Sequence, residues 1–362
     1  MENTIADIKI SHMAGSGGLS EGLEMVFLDT GSFLYNLLPG RGMGIHKVVG
    51  EKVSLGWDSP VEGPVNPAFI RLEEEGGTGW LRGFDEWLVR CGLFSHGAPA
   101  MDEVETPLGG RRQLLLPLHG RIANTPAQEL QFAETDDGRL EVSAEVHEGV
   151  VFGERLLLRS SLFLKRNSRR FEIEDEVTNL GGRPTEFELL YHLNFGPPVL
   201  EAGARLRAPF QWVHPRDEVA AKGMDVVTAY GPPVAGACEQ AFFAALNSRE
   251  DGSTDVVLHN AGANLGCRVG LNVHELPCFT LWKYEASLEE GYVTGLEPSI
   301  GYPNPKPYER AKGRVPVLQP GESRKVRLEF ELMENALQVD AALARVEKLE
   351  VEPGPVPAGM FD

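Results

Sequence analysis

The chain has 362 residues, enough for a large core, and its 42% hydrophobic and 24% charged residues are typical of a folded globular protein rather than a disordered one. The net charge of −19 repels nucleic acids and anionic membrane surfaces, and no basic patch offsets it. We therefore expect neither nucleic acid nor membrane as a partner.

Cysteine spacing and the N-terminal residues indicate the compartment. Cys91, Cys238, Cys267 and Cys278 form no CxxC pair, which gives a structural zinc site no support and favours free thiols. The N-terminal segment MENTIADIKISHMAG lacks a signal-peptide core, and no run of about 18 apolar residues predicts a membrane span. A cytoplasmic location is expected.

Taken in chain order, the predicted elements are mostly strands. The segment PGRGMGI, 39–45, predicts a turn, because it is not a GxGxxG loop and no helix follows it. Apolar residues then alternate in four strand candidates, bounded by Gly, Asn, Asp or Pro: 138–149, 155–166, 169–182 and 324–332. In the third, Asp175 interrupts the apolar alternation.

Helical patterns are sparse. Residues 333–350 have apolar residues at helical spacing, and a short helix is predicted near 217–224. Strands do not alternate with helices, so a parallel α/β sheet is not expected. The simplest interpretation is an all-β protein, one large antiparallel β-sandwich with few short helices. We divide it into an N-terminal extension (1–24), the sandwich (25–332) and a C-terminal helix and tail (333–362).

Three segments could perform chemistry. LPLHGRIANTPA contains His119, FELLYHLNFGPP contains His192 and Asn194, and YVTGLEPSIGYPN contains Glu297. A histidine near the end of an apolar strand is more often structural than catalytic. A glutamate among apolar strand residues is more telling, because burying a carboxylate costs several kcal/mol unless it is paired. Together they could move protons on a sugar hydroxyl and ring oxygen, a reaction that needs no metal or cofactor.

The combination of LHGR, YHLNFG and GLEPSIGYP resembles the aldose 1-epimerase (galactose mutarotase) superfamily. PGRGMGI, LGWDSP, WLRGFDEWLVRCGLFSHG and LWKYE, in the same order, narrow the resemblance to a bacterial aldose 1-epimerase-like branch, over roughly residues 25–332. The resemblance implies the large antiparallel β-sandwich of galactose mutarotase, in agreement with the alternation of apolar residues in the strand candidates.

The resemblance also implies roles for individual residues. Glu297 matches the general base on the anomeric hydroxyl, His192 the general acid on the ring oxygen, and His119 the second histidine that polarises or positions the ring oxygen. No residue here is assigned to the aspartate that binds sugar hydroxyls in the family. Arg121 replaces the second glycine of the family's LHGG segment, so the sugar contacts are expected to differ.

Further residues are predicted to bind the substrate. Arg121, Lys283 and Arg41, with Arg82 as a further candidate, could form a cationic pocket wall suited to an acid sugar, a ketose or a sugar phosphate. Trp282 is favoured as an aromatic surface for a sugar face, since LWKYE belongs to the shared pattern. Asn194 is the remaining predicted contact.

These residues favour a cofactor-free carbohydrate isomerase that interconverts the anomers of a monosaccharide or a sugar derivative. One alternative is a carbohydrate-binding protein without activity on the same scaffold. Another is a sugar lyase or hydrolase, although a hydrolase needs a second carboxylate that the motifs do not supply. The sequence leaves the oligomeric state open, a homodimer included.

Overall fold

Antiparallel strands make up most of the structure, a computed structural model that describes residues 2–105 and 109–361. The first twelve strands are β1 (Glu2–Ile5), β2 (Ile8–Ala14), β3 (Glu24–Asp29), β4 (Phe33–Leu38), β5 (Gly44–Gly50), β6 (Ser54–Leu55), β7 (Leu88–Leu93), β8 (Ala100–Glu105), β9 (Arg111–Leu116), β10 (Gln128–Glu134), β11 (Leu140–Gly149) and β12 (Arg155–Leu164). The next twelve are β13 (Arg170–Asn179), β14 (Thr185–Glu186), β15 (Glu188–Phe195), β16 (Arg205–Arg207), β17 (Phe210–Pro215), β18 (Gln240–Leu246), β19 (Ser253–His259), β20 (Gly266–Asn272), β21 (Cys278–Tyr284), β22 (Val293–Ser299), β23 (Val317–Leu318) and β24 (Ser323–Met333).

Two large sheets face each other. The larger, twelve-stranded sheet has the order β1-β2-β3-β4-β5-β7-β15-β22-β21-β18-β17, with β6 beside β5. The smaller, eight-stranded sheet has the order β10-β11-β12-β13-β24-β20-β19-β16. The pairs β8–β9 and β14–β23 form separate two-stranded ribbons. This architecture confirms the predicted all-β antiparallel sandwich.

The main core lies between the two sheets, because each strand directs alternate side chains inward. On β13, Phe171, Ile173 and Val177 are buried, as their alternation predicts. Asp175, which interrupts that alternation, is also buried, and it accepts hydrogen bonds from Arg90 of β7 in the opposite sheet. The break in the pattern therefore marks an ion pair that joins the two sheets.

Helices are few and short in the described residues. They are α1 (Glu74–Gly77), α2 (Glu218–Ala221), α3 (Lys306–Ala311) and α4 (Ala336–Glu347). Helix α4 falls within the predicted 333–350 helix and α2 within the predicted 217–224 segment. The Asn335 side chain caps α4 by accepting from the Gln338 amide, and the buried face of α4 packs on Val257 and Met333. Neither helix contributes to the site described below.

Both ends of the described chain pack on the sandwich. Residues before 25 supply β1 and β2 to the larger sheet, and near the C-terminus Met360 and Phe361 pack against Trp212 and Tyr302. The division into three units stays a prediction. No helix among residues 2–105 and 109–361 has the length and apolar character needed to cross a membrane. The four cysteines are free thiols, and Cys238 alone is exposed.

Candidate active site

Strand β15 places His192 on the outer face of the larger sheet. Its odd-numbered residues, such as Tyr191 and Leu193, face the core between the sheets. Its even-numbered residues point the opposite way, and there Leu190 packs in a second, smaller apolar cluster that also contains Trp80 and Phe84. A histidine in the middle of this apolar strand is therefore buried on the face away from the main core.

Glu297 of β22 lies beside His192 because of the strand register. The antiparallel pairing aligns Leu193 with Leu296 and Asn194 with Gly295, so His192 and Glu297 become neighbours on the same face. Glu297 Oε1 lies 3.3 Å from His192 Nε2, and both side chains are almost fully buried. We call this pair the Glu–His dyad.

Gly295 makes the close approach within the Glu–His dyad sterically feasible. A Cβ added to Gly295 would lie 2.9 Å from His192 Cε1 and 3.0 Å from Glu297 Oε1. Both distances are shorter than ordinary carbon contacts, so any larger residue at 295 would displace the dyad. This is the physical reason for a glycine two residues before the glutamate in the GLEP segment.

The second histidine, His119, is held in a strained backbone conformation. Its φ is +57°, in the left-handed region that costs a residue with a Cβ about 1–3 kcal/mol. Backbone hydrogen bonds keep it there, from its amide to the Gly97 oxygen and from the Gly92 amide to its own oxygen. Its Nδ1 lies 2.9 Å from the His96 carbonyl oxygen, and its ring lies 5.4 Å from the His192 ring, nearly perpendicular to it.

Aromatic side chains enclose the two histidines. Trp80 lies 4.5 Å from His119 between ring centroids, and Phe84 lies 5.0 Å from His192. Both come from the connection 56–87 between β6 and β7. Trp282 of β21 lies 5.4 Å from His192 on another side. Because these surroundings are apolar, burial favours the neutral form of each ionisable group at the site.

Burial shifts the protonation equilibria of all three ionisable residues toward neutrality. Desolvation, with a smaller contribution from Glu239, raises the pKa of Glu297 from its ordinary 4.5 to about 8. Desolvation lowers the pKa of His119 to about 4, and it lowers the pKa of His192 well below its ordinary value. Near neutral pH the resting site therefore contains a protonated glutamate and two uncharged imidazoles.

The profile of a family described as Domain of unknown function (DUF4432) matches residues 20–332. The chain belongs to this family. Among curated proteins, none matches it significantly.

This DUF4432 family member is also similar to several proteins of known structure. A putative aldose 1-epimerase from Klebsiella pneumoniae shares 31% identity at a TM-score of 0.89, over 97% of this chain and 91% of that chain. A galactose mutarotase-like protein from Clostridium acetobutylicum (14% identity, TM-score 0.61, 90% of this chain and 98% of that chain) has the same fold. So does galactose 1-epimerase from Lactobacillus acidophilus (13%, TM-score 0.55, 91% and 99%). These similarities confirm the resemblance to the aldose 1-epimerase superfamily.

The structure brings Glu297, His192, His119 and Trp282 together at one site. Two other predicted residues, Arg41 and Lys283, lie elsewhere. Arg41 is buried, pairs with Glu86, and donates to the backbone oxygens of Val65 and Gly83. These protein acceptors occupy its guanidinium group, so Arg41 contributes no free cation to the pocket.

Lys283 points away from the site because it directly follows Trp282 on a strand. Adjacent strand residues face opposite sides of a sheet, and Lys283 donates to the Ala229 oxygen at 2.7 Å and pairs with Glu285 at 3.2 Å. The cationic wall expected from Arg41 and Lys283 is therefore absent.

Asn194 and Arg121 lie next to the site in supporting positions. Asn194 Oδ1 is 2.6 Å from His192 Nδ1, so its amide contacts a catalytic candidate rather than open space. Arg121 is half exposed and pairs with Glu73 at 2.9 Å, which ties the His119 loop to the connection that carries Trp80. The fourth cation considered, Arg82, is exposed and pairs with Glu75.

Three residues near the dyad were missed by sequence reasoning. Thr280 is the register partner of Glu297, and its buried hydroxyl has no hydrogen-bond partner among the described residues. Glu239 accepts a 2.6 Å hydrogen bond from Trp282 Nε1, and Phe84 contacts His192. Thr280 directly precedes the LWKYE motif, and it lies two residues before Trp282 on the same face of the strand, a signal that the sequence did contain.

No group of three or more His, Cys, Asp or Glu side chains within residues 2–105 and 109–361 has the geometry to hold a metal ion. A cavity of about 570 Å³ lies elsewhere, lined by residues that include Trp212, Tyr302 and Met360. It contains none of the predicted site residues.

Proposed function

We propose that the site catalyses the interconversion of the anomers of an uncharged monosaccharide by general acid–base catalysis, without a cofactor. The observation that carries this proposal is the buried dyad of Glu297 and His192, 3.3 Å apart, with no lysine or arginine of the described residues at ion-pair distance from the carboxyl group. A carboxyl and an imidazole in contact can take and give protons near neutral pH.

Ring opening requires two proton transfers. The dyad first shifts its one proton from Glu297 to His192. The Glu297 carboxylate then takes the proton of the anomeric hydroxyl, and the His192 imidazolium gives a proton from Nε2 to the ring oxygen as the bond between C1 and that oxygen breaks. The aldehyde rotates about the C1–C2 bond, and the same transfers in reverse close the ring on the other face. Each transfer of this type contributes about 10²–10⁴-fold to the rate.

His119 fits a role in positioning the sugar. Its Nδ1 is occupied by the His96 carbonyl oxygen, and burial keeps its pKa at about 4, so its Nε2 offers a lone pair at neutral pH. It would accept a hydrogen bond from a sugar hydroxyl. The unpartnered Thr280 hydroxyl is a second candidate contact, and the ring of Trp282 offers an apolar surface for a sugar face.

The charges around the site favour a neutral sugar over an acid sugar or a sugar phosphate. Arg121 pairs with Glu73, Arg82 with Glu75, and Arg216 with Glu239, so each cation at the edge already has a carboxylate partner. Binding an anionic group would require one of these pairs to break. The net charge of −19 acts in the same direction.

The test is exchange NMR between the anomeric protons of a sugar panel of aldoses, ketoses, uronates and sugar phosphates, which reads binding and exchange in one sample. We expect faster exchange for an uncharged sugar, and a 10²–10⁴-fold loss in Glu297→Gln. Glu331→Gln, a change to a buried glutamate of the smaller sheet, is the matched control and should retain activity. Acceleration of no sugar would overturn the proposal, and binding without acceleration would favour a carbohydrate-binding protein.

A further inference from the structure

The side-chain amide of Asn194 has an orientation fixed by its partners. Its Nδ2 donates to the backbone oxygens of Glu86 at 2.9 Å and of His192 at 3.2 Å, and carbonyl oxygens can only accept. The amide oxygen Oδ1 must then be the atom that lies 2.6 Å from His192 Nδ1. An amide oxygen also only accepts, so His192 carries a proton on Nδ1.

His119 is restricted in the same way by a different group. Its Nδ1 lies 2.9 Å from the backbone oxygen of His96, which again can only accept. Both histidines are therefore protonated on Nδ1. A neutral imidazole with a proton on Nδ1 has a lone pair on Nε2, so neither ring offers a proton from Nε2 unless it acquires a second one.

This tautomer has a consequence for Glu297. The Nε2 atom of His192 faces Glu297 Oε1 at 3.3 Å, and within the described ranges His192 is the only basic side chain at ion-pair distance from Glu297. A lone pair against an ionised carboxylate is unfavourable in a buried, apolar site. One proton placed between the two atoms removes the conflict, either as a carboxylic acid facing imidazole or as a carboxylate facing imidazolium.

We propose that Asn194 is a positioning residue that holds His192 as the Nδ1–H tautomer, so that His192 and Glu297 share a single proton. The inference rests on the proposed function for its role in turnover. Opening begins from the carboxylate and imidazolium: Glu297 takes the proton of the anomeric hydroxyl while His192 protonates the ring oxygen. The dyad then consists of a carboxylic acid and a neutral imidazole. It still holds one proton, and ring closure restores the starting form.

The other ionisable groups around the Glu–His dyad are either held neutral by burial or paired with a cation. Cys91 on β7 stays a thiol because burial raises its pKa well above the ordinary value, and His119 stays neutral because burial lowers its pKa to about 4. Glu239, next to Trp282, pairs with Arg216 at 2.7 Å. The side chain of Glu86, behind Asn194, pairs with Arg41. The dyad should lose its shared proton at high pH and gain a second one at low pH, as a coupled pair.

The test is ¹⁵N NMR of histidine-labelled protein without sugar, with ring signals assigned by His192→Gln and His119→Gln. At neutral pH both rings should show the Nδ1–H pattern. Asn194→Leu removes the acceptor and should move His192 toward the Nε2–H tautomer, leaving His119 unchanged. Asn194→Asp, closest in shape, supplies a charged acceptor and should raise the pH at which His192 becomes imidazolium. Finding wild-type His192 with a protonated, uncharged Nε2, or unchanged in Asn194→Leu, would overturn the proposal.

A matched control and an activity measurement separate this inference from the proposed function. Asn179 is also buried and its Nδ2 also donates to two carbonyl oxygens, but it lies on β13 in the smaller sheet. Asn179→Asp should cost stability without moving the His192 signals. In the sugar assay, Asn194→Leu should lower kcat at least tenfold with little change in KM, whereas Asn194→Asp should shift the pH profile. Correct tautomers in a protein that accelerates no sugar would refute the proposed function and not the role of Asn194.

Discussion

Two carboxyl groups are equally buried in this molecule but differ in their partners. Asp175, between the sheets, accepts from Arg90 Nε at 2.6 Å and Nη2 at 3.2 Å and from the Tyr191 hydroxyl at 2.8 Å. Glu297, on the outer face of the larger sheet, has a single histidine at 3.3 Å. Burial therefore does not distinguish the carboxyl proposed to be catalytic from the structural one. The number of donors is the difference: three hydrogen bonds hold the Asp175 carboxyl in place, whereas Glu297 has a single neighbour with which it can exchange a proton.

The largest expected effect on stability comes from removing Arg90, the cation that pairs with Asp175. Arg90→Met should lower the free energy of unfolding by about 3–5 kcal/mol, because it leaves Asp175 buried without a cation. Urea unfolding measures the loss. Arg159→Met is the matched control, since Arg159 pairs with Glu145 on an exposed face and should cost less than about 1 kcal/mol. Equal effects from the two variants would contradict the distinction between saturated and surface pairs.

Replacing the unsaturated carboxyl of Glu297 should instead stabilise the folded protein, by an amount that depends on pH. The pKa of Glu297 is raised from 4.5 to about 8 by burial, so between these values the folded protein holds a proton that the unfolded chain has released. Stability contributed by this group is then lost as pH rises from about 4.5 to about 8. Glutamine cannot ionise, so Glu297→Gln should be more stable than the wild type by about 2–4 kcal/mol at pH 9.

Urea unfolding of both proteins from pH 5 to pH 9 checks this expectation. The titrating groups outside the dyad are common to both chains, so the difference between the two stability curves isolates the dyad of Glu297 and His192. The gain should grow across the window and level off above about pH 8. Parallel curves would mean that the folded and unfolded states bind the same number of protons at residue 297, and the carboxyl would then not be desolvated.

Sequence reasoning predicted the parts of this comparison that depend on local pattern. The alternation of Phe171, Ile173 and Val177 predicted a strand with one buried face, and Asp175 appeared only as a break in it. Its partner Arg90 is 85 residues upstream, on a strand of the other sheet, and no local pattern connects the two. Contacts between sheets depend on the tertiary fold, so their partners could not be named from the sequence.

The predictions for the pocket residues likewise differ in how far a local pattern could have supported them. Trp282 and Lys283 were both predicted to line the pocket, although adjacent residues on a strand face opposite sides and only one of them could. The structure places Trp282 at the site and Lys283 against the Tyr230 ring. Asn194 was predicted to contact substrate and instead contacts His192, because two backbone oxygens orient its amide. Strand alternation would have corrected the first prediction, but the second needed the three-dimensional hydrogen-bond network.

A smaller effect is expected at the glycine that admits the dyad. Gly295→Ala places a methyl group within about 3 Å of both dyad side chains, so it should cost about 1–3 kcal/mol through overpacking. It should also reduce sugar exchange, because the contact between Glu297 and His192 has to open. Gly182→Ala is the control, since its added Cβ meets nothing within 4 Å. Full activity in Gly295→Ala would indicate that the 3.3 Å contact is not needed for turnover.

The smallest expected effect concerns the pair at the edge of the site. Arg121 and Glu73 are both about half exposed and 2.9 Å apart, so solvent screens their attraction and Arg121→Met should change unfolding by less than about 1 kcal/mol. The pair nevertheless joins the His119 loop to the connection that carries Trp80, where the Leu118 amide also donates to the Gly77 oxygen. If Arg121 serves this tether alone, Arg121→Met and Glu73→Gln should alter sugar exchange equally and for every sugar. A selective loss for uronates or sugar phosphates in Arg121→Met, absent in Glu73→Gln, would mean that the guanidinium leaves Glu73 to bind an anionic substrate, and the expected preference for uncharged sugars would be wrong.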